Sequence, residues 1–379
     1  MYVTRPLSLY LNDEAALSLP PPEGPNSGYL VISDESEIRL GNRRIKRLPF
    51  FQNRDFKVHD TYEYESPRRV VFIPVMNRPL SDNCYYVMLT DMWNKGNAAT
   101  SSKEDDIVSC CGGGCIRDVL PHPSNPFNLY QQFEIIIHQQ PYVRFHAKSV
   151  ATDGIPPRFL RREWKPYIDI DTYRRPLPEA LGLNSSLRAQ LPHFNFSSSD
   201  NHSKPVVVGK WYCPFIFVRE RVNRPTFYEM TLEQKWVRVY SKENDNSALE
   251  KRVHVEVDVE TEVAKIAGKK DAFRDERDDA AYSGFVWFIS SDDHRREERI
   301  GLSMAITDRM KWEQERFGWV SGKNGIEKLV RVEEFKGNGS WRKFSCYLLV
   351  ETFVLKRKGK SIAITFDFNH TNQVRCKWE

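Results

Sequence analysis

No stretch of this chain approaches the roughly 20 consecutive apolar residues that a membrane-spanning helix requires. The longest apolar runs, such as Val70-Val71-Phe72-Ile73-Pro74-Val75, are strand-sized, so a helical membrane protein is not expected. The opening Met1-Tyr2-Val3-Thr4-Arg5-Pro6 runs into Asp13 and Glu14 before any long apolar segment. A secretory signal is therefore missing, and the expected location is inside the cell, in cytoplasm or nucleus. A dominant charge is missing as well: 56 Lys and Arg stand against 51 Asp and Glu, a formal net charge of +5 with both signs interspersed. A protein held to nucleic acid by phosphate contacts concentrates its excess more sharply, so no specific nucleic-acid partner is expected. The seven cysteines are an odd number without a recognisable pairing framework, and reduced thiols are the expected state. Gly112-Gly113-Gly114 lacks the Lys-Ser/Thr that completes a phosphate loop, and no cofactor is expected.

What is present is apolar material in alternation. Hydrophobic residues make up 40% of the 379 and aromatic residues 12%, enough for a large core or two domains. Near the end, Phe344, Cys346, Leu348, Val350 and Val354 alternate with Tyr347, Leu349, Phe353 and Leu355, the pattern of a central strand covered on both faces. After the basic turn Lys356-Arg357-Lys358-Gly359-Lys360, Ile362, Ile364, Phe366 and Phe368 share one face of a second strand. Val253, Val255, Val257 and Val259 alternate with His254, Glu256, Asp258 and Glu260, which predicts buried valines and solvated carboxylates. Leu302, Met304, Ile306, Met310 and Trp312 follow a spacing of two that breaks only at Asp308 and are read as a strand, although Leu302, Ala305, Ile306, Arg309 and Met310 would also fit a helix; residues 268–281 are read as a charged loop, and residues 156–164 and 178–191 as helices.

The fold class that follows is mainly β, α+β with few short helices, with long antiparallel strands in two packed halves. The polar stretch 195–204 separates a β-rich half with short helices and a Cys/Gly loop, residues 1–195, from an antiparallel β half ending in a long hairpin, residues 205–379. Phe72-Ile73-Pro74-Val75 with Asn77-Arg78-Pro79 is partly echoed by Phe215-Ile216-Phe217-Val218 with Asn223-Arg224-Pro225, a candidate diverged duplication.

Three stretches carry a family likeness: Met1-Tyr2-Val3-Thr4-Arg5-Pro6-Leu7-Ser8 with Pro20-Pro21-Pro22-Glu23-Gly24-Pro25-Asn26-Ser27-Gly28-Tyr29; Trp211-Tyr212-Cys213-Pro214-Phe215 with Phe227-Tyr228-Glu229-Met230-Thr231-Leu232-Glu233-Gln234-Lys235-Trp236; and the closing Phe368-Asn369-His370-Thr371-Asn372-Gln373-Val374-Arg375-Cys376-Lys377-Trp378-Glu379. Together they resemble the land-plant family catalogued as domain of unknown function 1262. That resemblance implies a plant stress or defence setting and brings no activity, cofactor or catalytic residue with it.

Two constellations carry chemistry. Cys110, Cys111 and Cys115 with His122 offer four ligands to zinc, although adjacent cysteines followed by glycines depart from the paired spacing of structural zinc sites. The same thiols are acceptors for S-acylation, which would associate the protein with a membrane. Gly301-Leu302-Ser303-Met304-Ala305 approximates a nucleophile elbow without its final glycine, and Asp367 and His370 follow in the order of a hydrolase triad. The elbow requires a sharp strand-to-helix turn, whereas the alternation runs through Ser303. The expectation is a non-enzymatic interaction module with a protein partner, without metal or cofactor; the rivals are a membrane-associated protein using the cysteine loop and a serine hydrolase around Ser303.

Overall fold

The alternating segments pair into two large β systems in the computed structural model of the chain, which describes residues 1–33, 44–60, 67–91, 96–110, 113–170, 175–220, 226–244, 251–275, 284–291 and 297–379. The first system closes on itself. Phe56–Asp60 pairs with Arg68–Pro74, which pairs with Cys84–Leu89, and the ring continues through Gln132–His138, Arg144–Ser149 and Trp164–Ile168 back to Phe56–Asp60. Alternate side chains point inward, so Phe56, Phe72, Tyr85, Phe133, Phe145 and Trp164 fill the barrel with Phe50 from the preceding loop. The rings of Phe50 and Phe72 stack with centroids 4.2 Å apart. The outward residues Val71, Ile73, Tyr86 and Met88 are also buried, because they join the core of the second sheet. Dry surroundings on both sides explain why residues 70–75 read as a continuous apolar run.

The second sheet has 12 strands. At its middle, Lys343–Lys356 lies between Phe227–Glu243 and Ile362–Trp378 and is buried everywhere but at its two end residues, as a two-faced apolar strand should be. Val206–Pro214, Tyr2–Pro6 and Gly28–Ile32 extend it on one side, the last parallel to its neighbour; Glu262–Ile266, Lys270–Arg274, Phe285–Ser291, Glu297–Ser303 and Val218–Glu220 extend it on the other. Because Tyr2–Pro6 and Gly28–Ile32 belong to this sheet, it crosses the 195–204 stretch. Arg252–Glu260 and Ile326–Glu334 form a separate ribbon. Its Val253, Val255 and Val259 cover Trp341, Phe344, Cys346 and Leu348, while Glu256, Asp258 and Glu260 face solvent.

Three local expectations are corrected. Residues 302–312 are not a strand: the strand ends at Ser303, and Met304–Glu315 is a helix. Ala305, Ile306, Arg309, Met310 and Glu313, spaced by one, three and four, are among its buried residues, a helical stripe. Met304 and Trp312, which supplied much of the apparent alternation, are only half-buried. Within 268–281, Lys270–Arg274 is a strand, and residues 276–283 lie outside the described residues. Of residues 178–191 only Ser185–Gln190 is helical, with Asn184 accepting the Leu187 N–H at its start. The two echoing segments fold differently: Phe72 and Ile73 lie in a strand, whereas Phe215–Phe217 is a single 3-10 turn. Among the described residues no helix is long and apolar enough to cross a membrane.

Helices and sheet are joined by a dry ionic network. Arg188, 3% exposed, donates through Nε to Glu351 Oε1 at 2.8 Å and through Nη2 to Glu351 Oε2, and its Nη1 lies 3.4 Å from Glu313 Oε2. Gln234 Nε2 donates to Glu351 Oε1 at 2.8 Å, and Arg309 Nη2 donates to Glu313 Oε1 at 2.6 Å. Each buried charge is tolerable only because the others are there. Glu351→Ala should therefore destabilise the fold by about 3–5 kcal/mol in urea unfolding, whereas the apolar pair Arg188→Met with Glu351→Leu should cost distinctly less; equal losses would show that the network is not energetically coupled.

Candidate functional site

Ser303, Asp367 and His370 do not converge. Ser303 does stand at a strand-to-helix turn, but it is fully buried and its hydroxyl accepts the Ala305 N–H at 3.4 Å as the helix cap. Asp367 accepts the Thr352 hydroxyl at 2.6 Å. His370, three residues along a regularly paired stretch of the same strand, points to the opposite face. There it is fully buried, with Nε2 donating to Gln314 Oε1 at 2.9 Å and lying 3.8 Å from Glu351 Oε2. Among the described residues no hydrogen bond joins any two of the three. Burial drives the His370 pKa down to about 4, partly opposed by the Glu351 carboxylate and reinforced by Arg188.

For the metal and acylation readings, His122 is exposed on the short strand His122–Pro123. The backbone of Ile107–Cys110 pairs with Gly113–Ile116, placing Cys110 opposite Gly113 and Cys115 opposite Val108. Cys111, and the side chains of Cys110 and Cys115, lie outside the described residues. Among the described residues no group of three or more His, Cys, Asp or Glu is placed to hold a metal ion.

The structure gathers charge elsewhere, at the terminal hairpin. A cleft of about 320 Å³ opens between the turn after Lys343–Lys356, the starts of the paired strands, and the segment 175–178. Its floor is apolar, formed by Leu177, Pro178, Tyr212 and Phe227, with the Tyr212 hydroxyl donating to Pro178 O at 3.0 Å. Its cations are Arg175, Lys356, Arg357, Lys358 and Lys360, against the single carboxylate of Glu229. Arg175 is paired with Asp55, Lys356 with Glu233, and Glu229 with Lys210. Arg357 fixes the turn: its Nε donates to Glu220 Oε2 at 2.9 Å, its Nη2 to the same oxygen at 2.5 Å, and its Nη1 to Ile362 O at 2.9 Å. Lys358 and Lys360 are exposed and form no ion pair with a described residue.

Among the described residues no Ser, Cys or His lines this cleft. A second cleft, of about 310 Å³, lies where the barrel meets the sheet. Its arginines already have partners: Arg219 lies over the Phe285 ring, and Arg299 lies over Trp287 and pairs with Asp275. The hairpin cleft is the better candidate because two of its rim cations, Lys358 and Lys360, form no ion pair with a described residue. In the sequence the segment 356–360 stands out only as a basic turn; Arg175, Leu177 and Pro178 come to it from far along the chain, and no local pattern marks them.

A mainly antiparallel β chain with a basic, apolar-floored cleft is the class these features define. Residues 23–112 match a family model described as "Protein of unknown function (DUF1262)". No curated protein matches the chain. Among solved structures it is similar to "Crystal structure of Cry35Ab1", with a TM-score of 0.49 and 11% identity over 87% of this chain and 90% of that one.

Two measurements probe Ser303 and His370. Ser303→Ala should cost about 1 kcal/mol, the usual worth of a helix cap, and the folded wild type should stay unlabelled by a fluorophosphonate; labelling at Ser303 would restore the hydrolase. For His370, the folded pKa of about 4 lies below the ordinary 6.5. The unfolded chain then binds more protons between those values, and stability falls as pH falls through that window, by on the order of 3 kcal/mol in all. Glu313, whose carboxyl burial pushes up, acts in the opposite sense in any variant. Denaturation curves of wild type and His370→Gln between pH 7 and 4 should therefore diverge, the wild type losing more; parallel losses would assign the acid sensitivity to another group.

Proposed function

We propose that this protein is a non-enzymatic binding module whose hairpin cleft takes an acidic segment of a protein partner. The observation that supports this is the charge of the cleft: Arg175, Lys356 and Arg357 are paired with Asp55, Glu233 and Glu220, and Glu229 with Lys210, which leaves Lys358 and Lys360 exposed at the rim of an apolar-lined cleft with no ion pair to a described residue. A segment with carboxylates flanking one apolar side chain complements both features. Its carboxylates meet the exposed Lys358 and Lys360, and the apolar group displaces water from Leu177, Pro178 and Phe227. Lysines on an exposed turn act mainly on encounter and specificity, and their effect is screened by salt. We further propose that the module works inside the cell in a land-plant stress or defence response, a setting that rests on the family likeness alone.

Fluorescence anisotropy with a labelled peptide of alternating Glu and Leu tests the cleft. Binding should be strong in low salt, absent for the Lys-Leu counterpart, and weakened at least tenfold, about 1.4 kcal/mol, by Lys358→Glu with Lys360→Glu. Unchanged affinity in the doubly charge-reversed protein would dispose of the proposal.

A further inference from the structure

The terminal hairpin brings two cysteines face to face. Cys346 lies on the central strand Lys343–Lys356 and is fully buried; Cys376 lies on Ile362–Trp378 and is half-buried. They are directly opposite in the antiparallel register, with Sγ atoms 3.4 Å apart. Directly opposed residues of an antiparallel pair have Cα atoms about 4.5 or about 5.5 Å apart, according to the hydrogen-bonding phase. Both spacings lie within the range of about 4.4–6.8 Å that a disulfide spans, so the backbone is already placed for the bond and side-chain rotation supplies the rest. Cys84 and Cys213, by contrast, are buried thiols on other strands.

The pair is also set up to lose a proton. The Cys376 thiol donates to Cys346 Sγ, which lowers the Cys346 pKa and raises that of Cys376. Arg331 of the overlying ribbon further favours a Cys346 thiolate, against burial and the opposing charge of Glu333. Entry is from the Cys376 side, at the half-buried end of the last strand.

We propose that Cys346 and Cys376 are a dithiol that a small-molecule disulfide of the glutathione class oxidises to a cross-strand disulfide. Cys376, its proton passed to Cys346 or water, attacks one sulfur of the reagent; the reagent's S–S bond breaks and one thiolate leaves. Cys346 Sγ then attacks Cys376 Sγ, the mixed disulfide breaks, and the second thiolate leaves. The two cysteine protons end on the two released thiolates, so the protein loses two electrons and the reagent gains them. The bond would tie the last strand where it most needs tying. Glu262–Ile266 pairs with that strand only as far as Phe368, so among the described strands Val374 to Trp378 are paired on one side alone.

The test uses the full chain with Cys110, Cys111 and Cys115 replaced by serine, so that the loop thiols cannot contribute. Folded protein is incubated with oxidised glutathione, unfolded, alkylated, weighed and mapped with trypsin. The expected product carries two fewer alkyl groups, lacks two hydrogens, links the peptides of Cys346 and Cys376, and returns to the starting mass with dithiothreitol. Amide exchange over 371–378 should slow several-fold on oxidation. Cys376→Ser, at a half-exposed position where the fold should tolerate it, should abolish the link. The proposal is overturned if both cysteines stay alkylatable, if a glutathione adduct on Cys376 persists without closing, or if the link joins a different pair.

Discussion

A carboxylate in the middle of a dry sheet is tolerable only with a cation locked against it, and Glu351 occupies that position on the central strand. Arg188 reaches it from the helix Ser185–Gln190, and Arg188 also meets Glu313 of the helix Met304–Glu315. Both helices are therefore held to the sheet by charge as well as by apolar packing. The orientation of Met304–Glu315 in turn fixes Ser303 as a cap and Gln314 as the partner of His370. What resembles a hydrolase triad in chain order is thus a set of residues each employed by this framework. A histidine held neutral by burial serves here as packing, with one ring nitrogen satisfied and Nδ1 without a partner among the described residues.

The hairpin cleft depends on a second fixed charge. Arg357 is bound by the buried carboxylate of Glu220 and by the carbonyl of Ile362, which holds the turn after the central strand in one shape. Lys360 takes a left-handed conformation, φ 63°, and the turn closes with the Arg357 N–H donating to Ser361 O at 2.8 Å. The exposed lysines therefore project from a rigid base. Pre-organised charge of this kind lowers the ordering cost of binding, and it separates this turn from a merely solvated basic loop.

How much of this was legible in sequence follows from which signals are local. Val253, Val255 and Val259 of Arg252–Glu260 and the doubly apolar Lys343–Lys356 announced their burial because strand faces repeat every two residues, while Val257 is half-buried. Residues 302–312 misled because Leu302, Met304, Ile306, Met310 and Trp312 satisfy a period of two while Ala305, Ile306, Arg309, Met310 and Glu313 satisfy the helical one; packing against Arg188 and His370 decides between them, and that packing is long-range. The barrel closure was invisible for the same reason, since pairing of Gln132–His138 with Cys84–Leu89 leaves no mark on either segment. Of the cleft, only the cluster 356–360 stood out, because charge density is local and the floor that receives it is not.

The two β systems also differ in how far apart their partners lie along the chain. Every strand of the barrel comes from between Phe56 and Ile168, and most pairings join consecutive strands, the closing pair of Trp164–Ile168 with Phe56–Asp60 excepted. The large sheet sets Tyr2 beside Tyr212 and runs on to strands that end at Trp378. Loop-closure entropy must be met before such distant strands gain anything from pairing, so sheets of this kind form late and slowly. The outward face of the barrel, with Val71, Ile73, Tyr86 and Met88, is then an apolar surface that has to wait for its cover. By contact order the closed barrel is the part expected to stand first, and a chain waiting for its sheet would expose that face to aggregation.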